Sequence, residues 1–252
     1  MVLPGLLVAG VSFATFRGLH RGLAPLSCPA PARTRWKWRN PCTSLVHSLL
    51  AGSGALLGLP WCPQMAVDPI RGHSPAALVL VSASFGYFLA DGPDLLRNQT
   101  LRQAWELLGH HAPVMSCLGV AVVSGRYVGF AVVSLLLELN SACLHVRQLL
   151  LLAGRPAAPP SAFRLASRAS LATLPLLRLA PLGWMSHWLP QQQPDTVPSA
   201  LRALGGGGLL IVGLRSIVLA VRLLVSDCLR SPPAPPLVPG ATEGKRAREP
   251  CL

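Results

Sequence analysis

The stretch from Trp105 to His145 reads WELLGHHAPVMSCLGVAVVSGRYVGFAVVSLLLELNSACLH. It holds two apolar runs on either side of a break at residues 125–126, and a membrane-spanning helix needs about 20 such residues. The stretch also carries ionisable side chains, among them His110, His111 and Glu138. Such groups cost roughly 3 kcal/mol each inside a bilayer, so they usually face a protein interior or a wet cavity. The stretch therefore predicts two membrane helices whose polar groups are functional and are enclosed by the remaining helices.

The composition of the chain is that of a membrane protein. Of its 252 residues, 51% are hydrophobic and 12% are charged, and the mean hydropathy is +0.48. Soluble domains carry about 25% charged residues. We therefore predict an all-α protein that is integral to the membrane. The first apolar run has no basic segment before it and no clean cleavage site, so it is expected to remain as a helix, with a signal peptide as the alternative.

The charges and the cysteines argue against several other classes. The net charge is +13, but Lys and Arg lie between apolar runs, as they do in the cytosolic loops of membrane proteins. This placement argues against nucleic acid as a partner. The seven cysteines include no Cys-x-x-Cys pair, so neither a zinc site nor a disulfide framework is predicted.

Apolar runs recur seven times along the chain. The first two are short and the fourth and fifth are joined by a very tight turn, so we predict six to seven transmembrane helices around a lipid-facing polar cavity. The runs are Leu3–Leu19, Cys42–Leu59, Ala76–Leu96, Ala104–Ser124, Tyr127–Leu152, Leu165–Leu189 and Ala200–Ser226.

Basic residues alternate between the two sides of the predicted bundle. Residues 17–39 alone carry six of them, whereas the loops of the other side offer only Arg71, Arg126 and Arg202. Because Lys and Arg concentrate in cytosolic loops, this alternation predicts an odd number of spans, an N-terminus outside and a cytosolic C-terminus. The glycosylation sequon at Asn98 would then lie in the cytosol and remain unused.

Polar side chains of several predicted helices lie in the cytosolic half of the bilayer. At 1.5 Å of rise per residue, His47, Asp91, His110 and His111 are roughly 10 Å deep, and Glu138 is nearer the midplane. We expect these groups to meet in a cavity that opens towards the cytosol. The candidate polar groups of this cavity are His47, Asp91, Asp94, Glu138, Ser141, His145 and Arg178.

The fifth run carries a polar stripe. Ser134, Glu138, Ser141 and His145 are spaced i, i+4, i+7 and i+11, so they share one face of a helix. A buried carboxylate needs a partner, and Arg178 is our candidate for Glu138. The alternative is that Glu138 and the arginine form only a structural clamp.

Two further pairs of ionisable residues lie close together in sequence. Asp91 and Asp94 are three residues apart and can share a face of the third helix. His110 and His111 point about 100° apart on a helix, so only one of them can face a cavity squarely. We take both histidines as catalytic candidates, with capping or hydrogen bonding between helices as the structural alternative. They lack the i, i+4 spacing of a helical metal site, and no metal is predicted.

Five motifs occur in a specific order and spacing. They are WKWRN at 36–40, HSLLAGSG at 47–54, GYFLADGPDLL at 86–96, WELLGHH at 105–111 and LLLELNS at 135–141. Together they resemble the TLC domain family (TRAM/LAG/CLN homology). On this resemblance we divide the chain into an N-terminal helix and basic loop (1–34), the TLC domain (35–230) and a disordered cytosolic tail (231–252).

The resemblance implies a function in lipid metabolism. A subfamily of short members is associated with the plasma membrane, where it sets phospholipid composition and fluidity and limits the incorporation of polyunsaturated acyl chains. The family also includes the ceramide synthases, whose catalytic histidine pair corresponds to His110 and His111. Those enzymes carry two aspartates just before the glutamate of the following helix. Here residues 132–137 read VVSLLL and only Glu138 is retained, which argues against ceramide synthesis.

We therefore expect a regulator of plasma-membrane phospholipid composition, with phospholipids or acyl chains as partners and no cofactor. Catalysis is not assumed. One alternative is an acyl-CoA-dependent lipid acyltransferase of the ceramide-synthase type, with acyl-CoA as co-substrate. Another is an accessory protein of a translocation channel. The endoplasmic reticulum is the alternative location.

Overall fold

The computed structural model describes residues 2–25, 29, 35–98, 101–154, 160–193 and 195–226, and this part of the chain consists of helices and short connections. The predicted all-α fold is confirmed. The α-helices are α1 (Val2–Gly22), α2 (Arg35–Trp61), α3 (Gln64–Val67), α4 (Pro75–Asn98), α5 (Leu101–Ser124), α6 (Val128–Leu135), α7 (Leu137–Ala153), α8 (Pro160–Leu174), α9 (Ala180–Trp188) and α10 (Ser199–Leu224). The predicted tail, 231–252, lies outside the described residues.

Each of the seven apolar runs of the sequence falls on one of these helices or on consecutive ones. Among the described residues, five segments are long and apolar enough to cross a membrane, and they are α1, α2, α4, the α6–α7 segment and α10. In α5 the apolar part runs over residues 111–124. The sixth run is split, because a π-helical turn, Pro175–Leu179, stands between α8 and α9. The chain is an all-α polytopic membrane protein.

Small residues set the closest helix contacts. Gly52 of α2 faces α7 so closely that a Cβ at this position would lie 2.6 Å from Leu139 Cγ and 2.8 Å from the Leu139 nitrogen. On α1, the Ser12 hydroxyl donates a hydrogen bond of 2.6 Å to the Ala83 carbonyl of α4. Close packing of this kind drives helix association in lipid, where no hydrophobic effect acts between helices. It brings α2 against α7 and α1 against α4.

The tight turn between α5 and α6 needs left-handed backbone. Gly125 and Tyr127 both have φ of 64°, a conformation that is uncommon for a residue with a side chain. The Tyr127 N–H donates to the Ile70 carbonyl over 2.8 Å and the Phe130 N–H donates to the Pro69 carbonyl over 3.3 Å. The loop after α3 thus holds the turn in place at this end of the bundle.

The π-helical turn begins at a proline and carries a charged residue. Pro175 has no backbone N–H, and its carbonyl accepts from the N–H of Ala180, five residues on. Single π-helical turns inside α-helices frequently occur at functional sites. Here the turn places Arg178, whose side chain is buried at 7% exposure, among the helices.

Candidate functional site

Asp91 is the meeting point of three helices. Asn40 of α2 donates a hydrogen bond of 2.7 Å from Nδ2 to Asp91 Oδ1, and Nε2 of His111, on α5, lies 3.3 Å from Asp91 Oδ2. All of this lies inside the bundle, since Asp91 and His111 are both buried. A carboxylate that contacts a histidine in this way fixes the orientation of the imidazole ring.

Glu138 is held from the α2 side. The Ser48 hydroxyl donates a hydrogen bond of 2.6 Å to Glu138 Oε2, and Nδ1 of His47 lies 3.9 Å from the same oxygen. His47 is buried at 3% exposure and stacks on Tyr87 with ring centroids 3.8 Å apart. The Tyr87 hydroxyl in turn donates to Ser44 over 2.9 Å. The α2 helix therefore supplies the polar contacts of Glu138.

Arg178 is not the direct partner of Glu138, which corrects the pairing expected from the sequence. Its Nε donates to the Ser216 hydroxyl of α10 over 3.0 Å, and its Nη1 donates to the Ser141 hydroxyl of α7 over 3.3 Å. Glu138 and Arg178 are near enough for their charges to interact, but they form no ion pair. The packing of α2 against α7 places the Ser48 hydroxyl against Glu138. The π-helical turn places Arg178 against two different hydroxyls, those of Ser141 and Ser216.

The two carboxylates of α4 contact different partners, although they were expected to share a face. Asp94 accepts a hydrogen bond of 2.5 Å from Arg17 Nη1, and Nε2 of His20 lies 3.9 Å from its other oxygen. Both partners belong to α1. Asp94 therefore ties α1 to α4, whereas Asp91 faces α2 and α5.

A cavity lies beside Glu138 and Arg178, between α5, the α6–α7 segment, α9 and α10. It contains about 1130 Å³ of space not filled by protein, part of it open to the surroundings. Four polar side chains are grouped in its wall, namely Ser134, Glu138, Ser141 and Arg178. Most of the remaining wall is apolar and includes Phe130, Leu182, Met185, Leu189, Leu204 and Leu209. A single space thus combines a polar patch with a long apolar surface.

The cavity runs in a direction that the sequence did not indicate. We expected it to open towards the cytosolic end of the bundle, where the basic loops are. Its lining instead extends from Glu138 and Arg178 to Tyr127 and Val197, which lie at the other end, beside the α5–α6 turn and the connection before α10. The polar patch of Ser134, Glu138, Ser141 and Arg178 thus lies at the end of the cavity that is nearer the basic loops.

The candidate polar groups do not all meet in the cavity, contrary to the expectation from the sequence. His47, Asp91 and Asp94 are not part of its wall, because neither α2 nor α4 lines it. His111 and His145 are not part of the wall either, but His145 is close enough to Asp91, His111 and Arg178 for their charges to interact. The side chain of His110 lies outside the described residues. Among the described side chains, no three His, Cys, Asp or Glu residues come together as metal ligands do.

Sequence reasoning missed several polar partners on α2 and α4. Asn40, Ser44 and Ser48 are spaced i, i+4 and i+8, so they follow one face of α2 beside His47. This spacing in an otherwise apolar helix was a usable signal. The hydroxyl of Tyr87 offered no such signal, because tyrosines in membrane helices commonly lie at the interface.

Comparisons with known proteins identify the family of the chain. The chain belongs to the TLC domain family, since the family model matches residues 37–225. It is 61% identical to TLC domain-containing protein 2 of Homo sapiens over 251 residues, which is 98% of this chain and 94% of that protein. It is 41% identical to the Danio rerio protein of the same name, over 90% of this chain and 91% of that one.

A second group of relatives is more distant. TLC domain-containing protein 1 of Gallus gallus is 31% identical over 242 residues, covering 94% of this chain and 92% of that protein. No solved structure matches the chain. The protein is therefore a multi-pass membrane protein of the TLC domain family, and this membership supports a role related to membrane lipids.

Proposed function

We propose that this protein regulates the phospholipid composition and fluidity of the plasma membrane by limiting the incorporation of polyunsaturated acyl chains. The observation that carries the proposal is the cavity with its polar patch at Glu138, Ser141 and Arg178 and its long apolar wall. Lipids are the amphiphiles available to a protein in a bilayer, and ligand pockets are lined mostly by apolar side chains with a few placed polar groups. The cavity has the polarity that an acyl chain with a polar end requires.

The polarity of the cavity also suggests how a lipid would lie in it. The acyl chain would follow the apolar wall towards Leu189 and Leu204, and the polar end would stay beside Glu138 and Arg178. A lipid in the reverse orientation would place its terminal methyl group against two charged side chains, which is unfavourable. Sequestering or sorting acyl chains in this manner would change which chains reach phospholipids.

One observation favours a second function, that of an acyl-CoA-dependent lipid acyltransferase. His111 contacts Asp91 at 3.3 Å inside the bundle, and a histidine oriented by a carboxylate is a common general base. In such an enzyme His111 would accept the proton of the lipid acceptor, and Asp91 would orient the imidazole ring. This candidate requires an acceptor lipid to come within hydrogen-bond reach of His111.

The test is lipidomics of cells that lack the protein. We expect loss of the protein to raise the polyunsaturated content of phospholipids and to leave ceramide nearly constant. Re-expression of the wild type should reverse the change. A large fall in ceramide with unchanged phospholipids would show the proposed regulator function to be wrong. Cell-surface biotinylation tests the plasma-membrane location against the endoplasmic reticulum.

The histidines separate the regulator from the enzyme. For the regulator, a variant with His110→Ala and His111→Ala should keep most of the rescue at equal protein abundance. For the acyltransferase, it should lose all of the rescue. The matched control is His73→Ala, which changes an exposed histidine of the connection between α3 and α4. Acyl transfer from acyl-CoA to a lipid by the purified protein, stopped by either change at 110 or 111, would establish the enzyme.

A further inference from the structure

Arg178 is a buried cation without a carboxylate partner among the described residues. Its side chain is 7% exposed and lines the cavity. Its two protein hydrogen bonds go to neutral hydroxyls, those of Ser141 and Ser216. An arginine inside a membrane protein is costly and normally pairs with an anion or with backbone carbonyls. The described part of this chain supplies no such direct partner, although an anion could reach the guanidinium through the cavity.

The geometry of the guanidinium favours one kind of anion. Nε is taken by Ser216 and one N–H of Nη1 by Ser141, which leaves the second N–H of Nη1 and both of Nη2. Two of these N–H groups can donate, as a fork, to both oxygens of one carboxylate. The two serines hold the guanidinium in place, so the fork is preorganised for this contact.

The other polar groups of the cavity wall favour a ligand with a single negative charge. Besides Arg178, the polar side chains beside it are the hydroxyls of Ser134 and Ser141 and the carboxylate of Glu138. The hydroxyls of Ser134 and Ser141 already donate to the backbone carbonyls of Ala131 and Leu137. A phosphate therefore carries more charge and more oxygens than the one guanidinium can satisfy. Glu138 would repel a dianion more strongly than a monoanion, although its Oε2 is held on the side of Ser48.

We propose that the cavity binds a long-chain carboxylate, the anion of a fatty acid, with its carboxylate on Arg178 and its chain along the apolar wall. This inference rests on the proposed function, because it names the ligand of the same cavity. It adds that the ligand is recognised by its charge and that it is a free carboxylate rather than an esterified chain. The Ser141 and Ser216 hydroxyls act as positioning groups for Arg178.

The experiment uses the full chain in phosphatidylcholine nanodiscs and a photoreactive fatty acid as the probe. The probe is cross-linked to the protein, and the labelled peptides are mapped by mass spectrometry. Unlabelled oleate, oleyl alcohol, methyl oleate and oleoyl lysophosphatidate are then compared as competitors. We expect labelling of the cavity wall, competition by oleate, and much weaker competition by the two uncharged analogues and by the phosphate.

Three variants test the assigned residue. The measured quantity is the part of the labelling that unlabelled oleate can compete away. Arg178→Gln should reduce it by about tenfold or more, the loss expected when a charge-assisted contact is removed. Arg178→Lys keeps the charge without the fork and should fall between this variant and the wild type. The matched control is Arg215→Gln on α10, which changes an arginine outside the cavity wall and should stay within about twofold.

Glu138→Gln tests whether Arg178 recognises the ligand or only balances the charge of Glu138. If the cavity binds a carboxylate, labelling should be kept or increased, because a like charge beside the ligand is removed. A loss of labelling with Glu138→Gln as large as that with Arg178→Gln, in folded protein, would overturn it.

The wild-type protein alone also decides the question, so the inference does not depend on the variants folding. Equal competition by oleyl alcohol and oleate would overturn recognition of the carboxylate and would leave acyl-chain binding intact. Stronger competition by lysophosphatidate would overturn the single-charge assignment. Absence of labelling in the cavity wall would overturn the inference altogether, whereas the proposed function would be judged by the lipidomics.

Discussion

Ser48 and Glu138 join α2 to α7 through a hydrogen bond of 2.6 Å from the serine hydroxyl to Oε2 of the carboxylate. This bond lies beside His47, whose Nδ1 is 3.9 Å from the same oxygen. It orients the carboxylate towards α2 and leaves Arg178 to other partners. The contact therefore decides how the two charges of the cavity wall are arranged.

Changing Ser48 to alanine should destabilise the protein by about 1.5–3 kcal/mol, because a buried carboxylate loses a charge-assisted hydrogen bond. The measurement is the unfolding temperature of the purified protein in detergent, followed by tryptophan fluorescence. Ser53→Ala is the matched control, since Ser53 is an exposed serine of the same helix that bonds only to the Leu49 carbonyl. Equal unfolding temperatures for the two variants would contradict the assigned role of Ser48.

Changing Gly52 to alanine should force α2 away from α7. The added Cβ would lie 2.6 Å from Leu139 Cγ, and overpacking of this kind costs about 1–3 kcal/mol. Gly58→Ala is the control on the same helix, because nothing lies within 4 Å of its added Cβ. Alanine is a better helix former than glycine by up to about 1 kcal/mol, so the control should be neutral or stabilising. Opposite shifts of the unfolding temperature would support the close contact, and equal shifts would refute it.

The two aspartates of α4 should differ in their contribution to stability. Asp91→Asn changes a buried carboxylate with partners on α2 and α5, and we expect a loss of about 2–3 kcal/mol. Asp94→Asn changes a carboxylate whose partner Arg17 is partly exposed, and the loss should be about 1 kcal/mol or less. Chemical unfolding of the two purified variants compares them directly. A larger loss for Asp94→Asn would show that the clamp to α1 matters more than the Asp91 cluster.

The orientation in the membrane remains a prediction from the loop charges. Asn98, at the end of α4, should carry no glycan, because the basic end of the bundle is expected in the cytosol. A glycosidase digestion read by gel shift tests this. As a positive control, a sequon inserted into the connection between α3 and α4 should gain a glycan. A glycan on Asn98, or antibody access to a C-terminal tag in intact cells, would reverse the orientation.

Part of the cavity wall could be predicted from the sequence, but the contacts between helices could not. The stripe of Ser134, Glu138 and Ser141 does line one cavity, even though α6 ends at Leu135 and α7 begins at Leu137. Helical periodicity was enough for this, because the backbone remains nearly helical across the junction. Periodicity could not show that Asp91 and Asp94 contact different helices, since neighbouring faces of α4 are covered by α5 and α1.

The sequence by itself determined the membrane class, the seven helical runs and the polar residues that lie inside them, because hydropathy and the period of 3.6 residues act locally along the chain. Only the tertiary structure decided which of these polar side chains contact each other. The contact at Gly52 brings Ser48 to Glu138, and the π-helical turn at Pro175 directs Arg178 towards Ser141 and Ser216. These outcomes depend on how closely helices distant in sequence approach each other, and no local pattern encodes that distance.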